Sequence, residues 1–572
     1  MSYFFNGRLY TTPATMSRVD DSAMQSANLG VGNFAAFIGS ASGGKPNSQL
    51  SFSSPAEAKA TLRSGPLLDA INKAFAPSAD TGGPSTVYAI RVNPAVQAQL
   101  TLPDSSGQPA LSLVSTDYGL WTNQIKIKIE AGTDVGLGVT TQYQNDYYSA
   151  DNIARDAFEV QYMGAAATAT MSVLGTSIVL QAPSGTTVST IDLNTYSTYS
   201  QVVDVINTVP DFMATLLDSS ADELASVNGL DYATSVDVKT SAYTTTANLQ
   251  ALIDWLNSTG EGFVTATRPA NAAAIPVQTS FVYLSGGSDG VTSIPEWSSA
   301  FETLQSVDAQ WVCPVSSNSA IWAMADSHAQ YMSNAGRMER RVIVGTPVGT
   351  TDEAAIALAK ALNSDRTSLV HIGYYDYNSA GKLALFSPVY MAALLAGMFS
   401  GVNPGTALSN KTINVSGLER KLRNPTDTDA LINGGVLCIE DTKNGYKVVQ
   451  SISTWLKDDK FNKVEQSCGW ATDYTARTVR DALDVLRGEK NNQVTLARAF
   501  SIADTALKAL SVPEPAGPGV LAGNKENPPF KGITVTANGD ALAVAFQCSP
   551  VIPVNYIPVS ISLQIFTGTA SA

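Results

Sequence analysis

The sequence predicts an α/β core interrupted by a long β-rich insertion and followed by an α+β C-terminal domain, with an extended arm at each end. Three observations point to it. Strand and helix periods alternate on both sides of residues 101–275, period-2 alternation fills much of that stretch, and 572 residues exceed what one hydrophobic core holds at about 100–200 residues per domain. A hydrophobic fraction of 44% with 8% aromatics is that of a globular protein rather than a disordered one.

Residues 1–28 are polar and lack helical periodicity, so they read as an N-terminal arm. Residues 29–100 open the core with a strand at 34–38, a helix carrying Leu67, Leu68, Ile71 and Phe75 on one face, and a strand at 87–92. Residues 101–275 form the insertion, where alternating runs such as 171–180 and 233–239 fit half-solvated strands. Residues 276–410 resume the core. Pro295 fits the first turn of a helix with Trp297, Phe301 and Leu304 on one side, and strands at 311–315, 341–346 and 368–373 alternate with helices at 319–335 and 352–362. Repeated units of this kind predict a mainly parallel sheet covered by helices.

Residues 411–550 make the C-terminal domain. Its helices fall at 473–487 and 495–510, a loop rich in proline and glycine covers 511–530, and a hairpin at 533–546 turns at Asn538-Gly539. Residues 551–572 form the C-terminal arm. Val559, Ile561, Leu563 and Ile565 alternate with polar residues as a strand, and Pro553 and Pro558 punctuate the approach to it. Such a strand pairs within its own domain by default or completes a neighbour's sheet. The proline-marked linker fits the second, and two arms on one body suggest a polymer-forming subunit.

The net charge of −14 is carried by one region: residues 101–310 hold 5 basic and 22 acidic side chains. This excess disfavours nucleic acid or anionic lipid as a partner and suits a solvent-facing insertion. Cys313, Cys438, Cys468 and Cys548 are too far apart for a paired-thiolate metal motif and read as free thiols. The start lacks the pattern of a cleaved signal, and the longest apolar run, 389–399, is about half a membrane span, so no membrane insertion is expected.

Two motifs promise chemistry without completing it. Gly39 to Pro46 follows a strand and resembles a phosphate loop, but proline stands where the magnesium-binding hydroxyl belongs and no helical period follows. Gly286 to Gly290 satisfies the G-x-S-x-G pattern around Ser288 without a helix starting at the serine. A Ser288–His371 hydrolase is the alternative from another class, though both histidines, His328 and His371, fit structural positions. No catalytic, metal or cofactor residues are assigned. The 473–487 helix carries Asp473, Arg477, Arg480, Asp484 and Arg487 in one stripe, expected on an exposed face as solvated surface or a docking site.

At these residues the chain resembles the tail sheath proteins of contractile phages and related contractile injection systems. The resemblance rests on Phe34 to Gly39 with Gly43, Gly44 and Pro46, the 53–57 segment, the helix from Leu67 to Phe75, and the 87–92 strand. It continues through Tyr283 to Gly290 with Trp297, Gly434 to Ile439, the segment around Trp455 and the 473–487 helix, in the family's order. A Pro-Gly-Val-Tyr segment before the first strand is missing. The resemblance implies a subtilisin-like type of α/β core used as scaffold without proteolysis. It also implies stacked hexameric rings around a tail tube, arms exchanged between neighbours, baseplate and tail terminator partners, and a contraction that drives the tube through the host envelope for genome ejection. The site would be the virion tail, assembled in host cytoplasm. It suggests the Arg477, Arg480 and Arg487 face for the tube and Val559, Ile561, Leu563 and Ile565 for the intersubunit strand. An acidic adhesin is a third reading.

Overall fold

The structure is a computed structural model that describes residues 3–5, 8–10, 33–217, 229–258, 262–269, 274–378, 381–565 and 568. Its centre is a seven-stranded sheet in the order Val436–Leu437, Thr367–Val370, Arg341–Gly345, Trp311–Pro314, Ala35–Gly39, Val87–Arg91, Gln49–Phe52. Every pairing is parallel except the last, where Gln49–Phe52 runs against Val87–Arg91. The central strands Ala35–Gly39, Trp311–Pro314 and Arg341–Gly345 are buried along their whole length. That is what a parallel sheet covered on its faces requires, and it explains their continuous rather than alternating hydrophobicity.

Two helices that pack on each other, Pro66–Phe75 and Pro388–Ser400, lie against the sheet, as does the pair Ile294–Leu304 and Ser319–Asn334. The longest apolar run of the sequence is therefore a core helix; every side chain of Pro388–Ser400 except Tyr390 is buried. Its approach is close. A Cβ on Gly397 would stand 2.3 Å from the Ala74 carbonyl oxygen, and one on Gly345 would stand 2.2 Å from that of Pro388, so helix and neighbours meet backbone to backbone. Ile294–Leu304 starts where Pro295 predicts, and the Glu296 carboxylate accepts from the Ser293 N–H at 2.7 Å to close a capping box.

The stretch between the two halves of the core holds two hydrophobic cores. One joins Ala98, Leu111, Ile127, Val139, Leu252 and Leu284; the other joins Phe158, Met171, Ile178, Tyr199, Ile206 and Phe212. The second unit is built from segments between Asp156–Tyr162 and Tyr243–Thr246. It is thus inserted inside the first, which continues in helix Asn248–Ser258 and strands Val264–Thr267 and Thr279–Tyr283. Alternation alone reads as one domain, because it gives the buried face of each strand and not the sheet it joins.

At the C-terminal end, helix Gln466–Leu483 packs on helix Gln493–Leu510, which packs on the hairpin Phe530–Asn538 and Ala541–Cys548. The hairpin loop is Gly539-Asp540, one residue later than expected, with Gly539 at φ 63°. Helix Gln466–Leu483 begins seven residues before the sequence expectation, since its first turns are buried on most sides and show no amphipathic period. Trp311 stacks on Phe399 at 3.9 Å and meets Trp470 edge-on at 5.4 Å, so this helix shares the core.

Charge fastens the same contact. Asp473 Oδ2 accepts from Arg341 Nε at 3.0 Å and from Arg366 Nη1 at 2.5 Å, with all three side chains largely buried. Arg341 Nη1 also donates to Gln466 Oε1 at 2.7 Å, and Gln466 Nε2 donates to Ser368 Oγ at 2.8 Å. Gly469 makes room: a Cβ there would stand 2.2 Å from the Arg341 guanidinium. Burial lowers the Arg341 pKa and Asp473 opposes that shift. Asp473→Ala would strand two arginines without their shared acceptor, at a cost of about 3–5 kcal/mol. The expected result is a lower urea midpoint by tryptophan fluorescence; an unchanged midpoint would show that the network contributes nothing.

Candidate functional site

Three places carry residues singled out by the sequence: the glycine motifs, the C-terminal helix stripe and the chain ends.

The two glycine motifs meet. Arg91, fully buried at the end of its strand, donates from Nη1 to the Gly44 carbonyl at 2.8 Å and the Tyr118 carbonyl at 3.1 Å. Its Nη2 donates to Asp289 Oδ1 at 3.2 Å and its Nε to Asn93 Oδ1 at 3.1 Å. Asn93 Nδ2 donates to the carbonyls of Ala41 at 3.0 Å and Asp289 at 2.8 Å. Asn123 Oδ1 accepts from Gly287 N–H at 2.8 Å, and Asp289 Oδ1 accepts from Leu120 N–H at 3.0 Å. The chain leaves the core after Arg91 and returns through Gly286 to Gly290, so one hydrogen-bonded joint fastens the insertion's exit and re-entry. Arg63 adds a second hold, its guanidinium 3.4 Å above the centre of the Trp121 ring.

This joint explains the glycines without phosphate or nucleophile. The Gly44 N–H that an anion would need donates to Asp117 Oδ1 at 2.8 Å, and a strand, Gln49–Phe52, follows the loop. Ser288 pairs through its backbone with Val96, and the next helix starts only at Ile294. His371 follows Thr367–Val370, and three strands separate that strand from Val87–Arg91 in the sheet. At about 4.8 Å per strand the sites lie roughly 19 Å apart. His371 Nε2 instead pairs with Asp352 Oδ1 at 2.8 Å and lies 3.2 Å from Arg420 Nη2, while burial lowers its pKa. His328 is mid-helix as expected, with Nε2 2.9 Å from Arg340 Nη1, and burial then Arg340 push its pKa down to about 3. Among the described residues no group of three or more His, Cys, Asp or Glu is arranged to hold a metal, and no helix is long and apolar enough to cross a membrane. The four cysteines are unpaired, three of them buried.

The stripe on helix Gln466–Leu483 is corrected. Asp473 and Arg477 are buried rather than exposed. Arg477 Nη2 donates to Asp308 Oδ2 at 2.6 Å, and Arg480 grips Glu339 with both terminal nitrogens at 2.8 Å. Arg487, beyond the helix end, is exposed and pairs with Asp484. A helical stripe of charge faces either water or buried countercharges; here the countercharges, Asp308 and Glu339, lie far away in sequence. Arg91, Asn93, Asp289, Arg341 and Arg366 were missed for the same reason.

At the C-terminal end, Val559, Ile561, Leu563 and Ile565 are 75–93% exposed. Residues 551–565 form no strand within this chain: alternation prepares a strand, but a strand needs a hydrogen-bonded neighbour, and among the described residues none supplies one. At the N-terminal end, Tyr3–Phe5 and Arg8–Tyr10 form a small antiparallel pair, and residues 11–28 of the expected arm lie outside the described residues.

The described chain thus folds as a mixed α/β sheet carrying a β-rich insertion and a helical C-terminal layer. Two solved structures share it: the sheath tail protein of Desulfitobacterium hafniense, at TM-score 0.54 and 13% identity over 94% of this chain and 96% of that one, and that of Listeria innocua, at TM-score 0.54 and 14% identity over 91% and 92%. In sequence, the tail sheath protein of Bacillus phage SP01 is 28% identical over 580 residues, 97% of this chain and 95% of its own length. The putative tail sheath protein of Enterococcus phage phiEF24C is 29% identical over 503 residues, 84% and 85%. No protein-family model matches. The resemblance to phage tail sheath proteins thus holds over most of the chain.

Arg91→Met keeps an unbranched apolar stem and removes the donors from buried acceptors, at about 1–3 kcal/mol for each group left unpaired. Limited proteolysis is expected to cut faster at residues 92–98 and 284–293 and to release the insertion as a resistant fragment. An unaltered digestion pattern would refute the joint.

Proposed function

We propose that this chain is the structural subunit of a contractile tail sheath: it polymerises around a tail tube and contracts to drive the tube through the host envelope. The observation that carries this reading is the match to tail sheath relatives along 84–97% of the chain. The unpartnered apolar C-terminal end supports it, because a free subunit keeps such a segment only if another chain covers it. In this reading the seven-stranded sheet is the subtilisin-like type of core, supported by its parallel order. The acidic insertion, residues 101–275, faces outward, residues 411–550 lie toward the tube, and the two terminal arms join neighbours in stacked hexameric rings. Baseplate and tail terminator proteins close the ends of the sheath, which belongs to the virion and is assembled in host cytoplasm. The role is mechanical; a hydrolase using Ser288 and His371 is not favoured, because the joint and the Asp352 pairing occupy these residues separately.

Burying Val559, Ile561, Leu563 and Ile565 in a neighbour at about 1.5–3 kcal/mol each gives on the order of 6–12 kcal/mol per arm before ordering costs. Deletion of residues 559–572 is expected to leave a soluble body that forms no long sheaths in negative stain, whereas the intact chain forms striated tubes. Normal tubes from the truncated chain would overturn the arm.

Of the three arginines expected at the tube, Arg487 has the most exposed side chain, at 69%, and Arg477 the least, at 7%. Arg487→Glu is expected to weaken sheath assembly on added tube protein without lowering stability, and Arg477→Glu to lower stability. Assembly yield unchanged by Arg487→Glu would exclude that contact.

A further inference from the structure

The C-terminal segment changes character at one residue. Up to Val551 it is tied to its own body through backbone: Ala522 N–H donates to the Ser549 carbonyl at 2.9 Å, and Val551 N–H donates to the Val520 carbonyl at 3.0 Å. Gly405, at φ 89°, opens the slot for Val551; a Cβ there would stand 2.6 Å from the Val551 Cγ2. Four residues on, Asn555 Nδ2 donates to Glu465 Oε1 at 2.7 Å, and Ser409 Oγ lies 3.4 Å from Asn555 Oδ1. Tyr556 to Ile565 are exposed without exception.

Glu465 is an unusual partner for a surface asparagine. It is 1% exposed, stands at the N-cap of helix Gln466–Leu483, and also accepts from Gln450 Nε2. Its second carboxylate oxygen is buried with no hydrogen-bond partner. Each donor to such a group matters more than a donor at the surface, because losing it leaves charge buried with less compensation. The asparagine amide is suited to this place: it donates to Glu465 while its oxygen faces a hydroxyl, and an aspartate there would set two carboxylates against each other.

We infer that Asn555 is a clip that divides the segment into a root held by its own subunit and an arm that starts at Tyr556. The inference rests on the arm reading and adds to it a fixed pivot. Ten residues from Tyr556 to Ile565 span at most about 33–36 Å when extended. A clipped root therefore bounds how far a neighbour may move before the joint between them is loaded, and keeps the pull on the Glu465 end of the helix that also carries Asp473.

The test is hydrogen exchange on the full-length chain by mass spectrometry, comparing peptides covering 549–555 and 556–565 in wild type, Asn555→Ala and Asn555→Asp. In the wild type the first peptide is expected to be protected and the second to exchange at the rate of open chain. Asn555→Ala is expected to speed exchange across 549–555 about tenfold, the equivalent of one hydrogen bond to a buried charge, and Asn555→Asp by more. The 556–565 peptide should exchange alike in the three proteins. Equal rates at 549–555 in all three proteins, or no protection there in the wild type, would overturn the clip. Removal of residues 559–572 leaves the 549–555 peptide in place, so protection of the root is read in the truncated chain as well, and a failed arm and a failed clip are read separately.

Discussion

One carboxylate, that of Asp473, holds the C-terminal layer on the core. It takes Arg341 from a central strand and Arg366 from the start of the next, and it sits on the helix whose Trp470 meets Trp311 in the hydrophobic interior. Two positive charges on one negative would repel in isolation, but Gln466 and the Asp365 carbonyl accept from Arg341 and spread its charge over further dipoles. Alongside, Asp308 and Glu339 receive Arg477 and Arg480. The second C-terminal helix packs on this helix and carries the hairpin, while the root of the C-terminal segment touches both Glu465 at the helix start and Ser409 beyond core helix Pro388–Ser400. The helix therefore meets the parallel sheet through a buried ion network backed by stacked aromatics.

The core was legible because its elements announce themselves locally. Helix Asp352–Leu362 has the bounds its period gives, and strands such as Arg341–Gly345 are short apolar runs between turn residues. What stayed hidden depends on distance along the chain. Arg91 and Asp289 are 198 positions apart and Arg341 and Asp473 are 132 apart, and no local pattern marks them as partners. Arg477 shows the cost of reading a polar stripe as surface: the 3.6-residue period fixes which residues share a face, and whether that face meets water or opposite charge is a tertiary fact. The glycine motifs were legible as turns, and their function as a joint was not, because close backbone approach and phosphate cradling ask for the same residue. The C-terminal segment stands at the other limit: its alternation is that of a strand, and its residues 551–565 form none within the single chain.

The acidic character of the insertion sharpens once its two cores are separated. Residues 156–247, which make up the inner of the two nested units, hold ten acidic side chains and one basic, Lys239. Lys239 donates to the Gly164 carbonyl and lies 5.2 Å from the centre of the Tyr162 ring, so it is held within its own unit. The other twelve acidic and four basic side chains of 101–310 flank this unit, so the excess is shared between the inner unit and the residues around it, while the chain outside 101–310 stays close to neutral and approaches copies of itself without strong repulsion.

Nesting also orders events during synthesis. Ala35–Gly39 pairs on one side with Val87–Arg91 and on the other with Trp311–Pro314, so the middle of the sheet stays open while more than two hundred residues emerge between them. At about 5–20 residues per second that interval lasts on the order of 10–40 s. The residues of the innermost unit are complete first, those of the unit around it second, and those of the sheet that supports both last. During this interval an exposed strand edge waits on the ribosome, with Gln49–Phe52 capping its far side. The rate of translation through the insertion thus sets how long the central sheet stays half built.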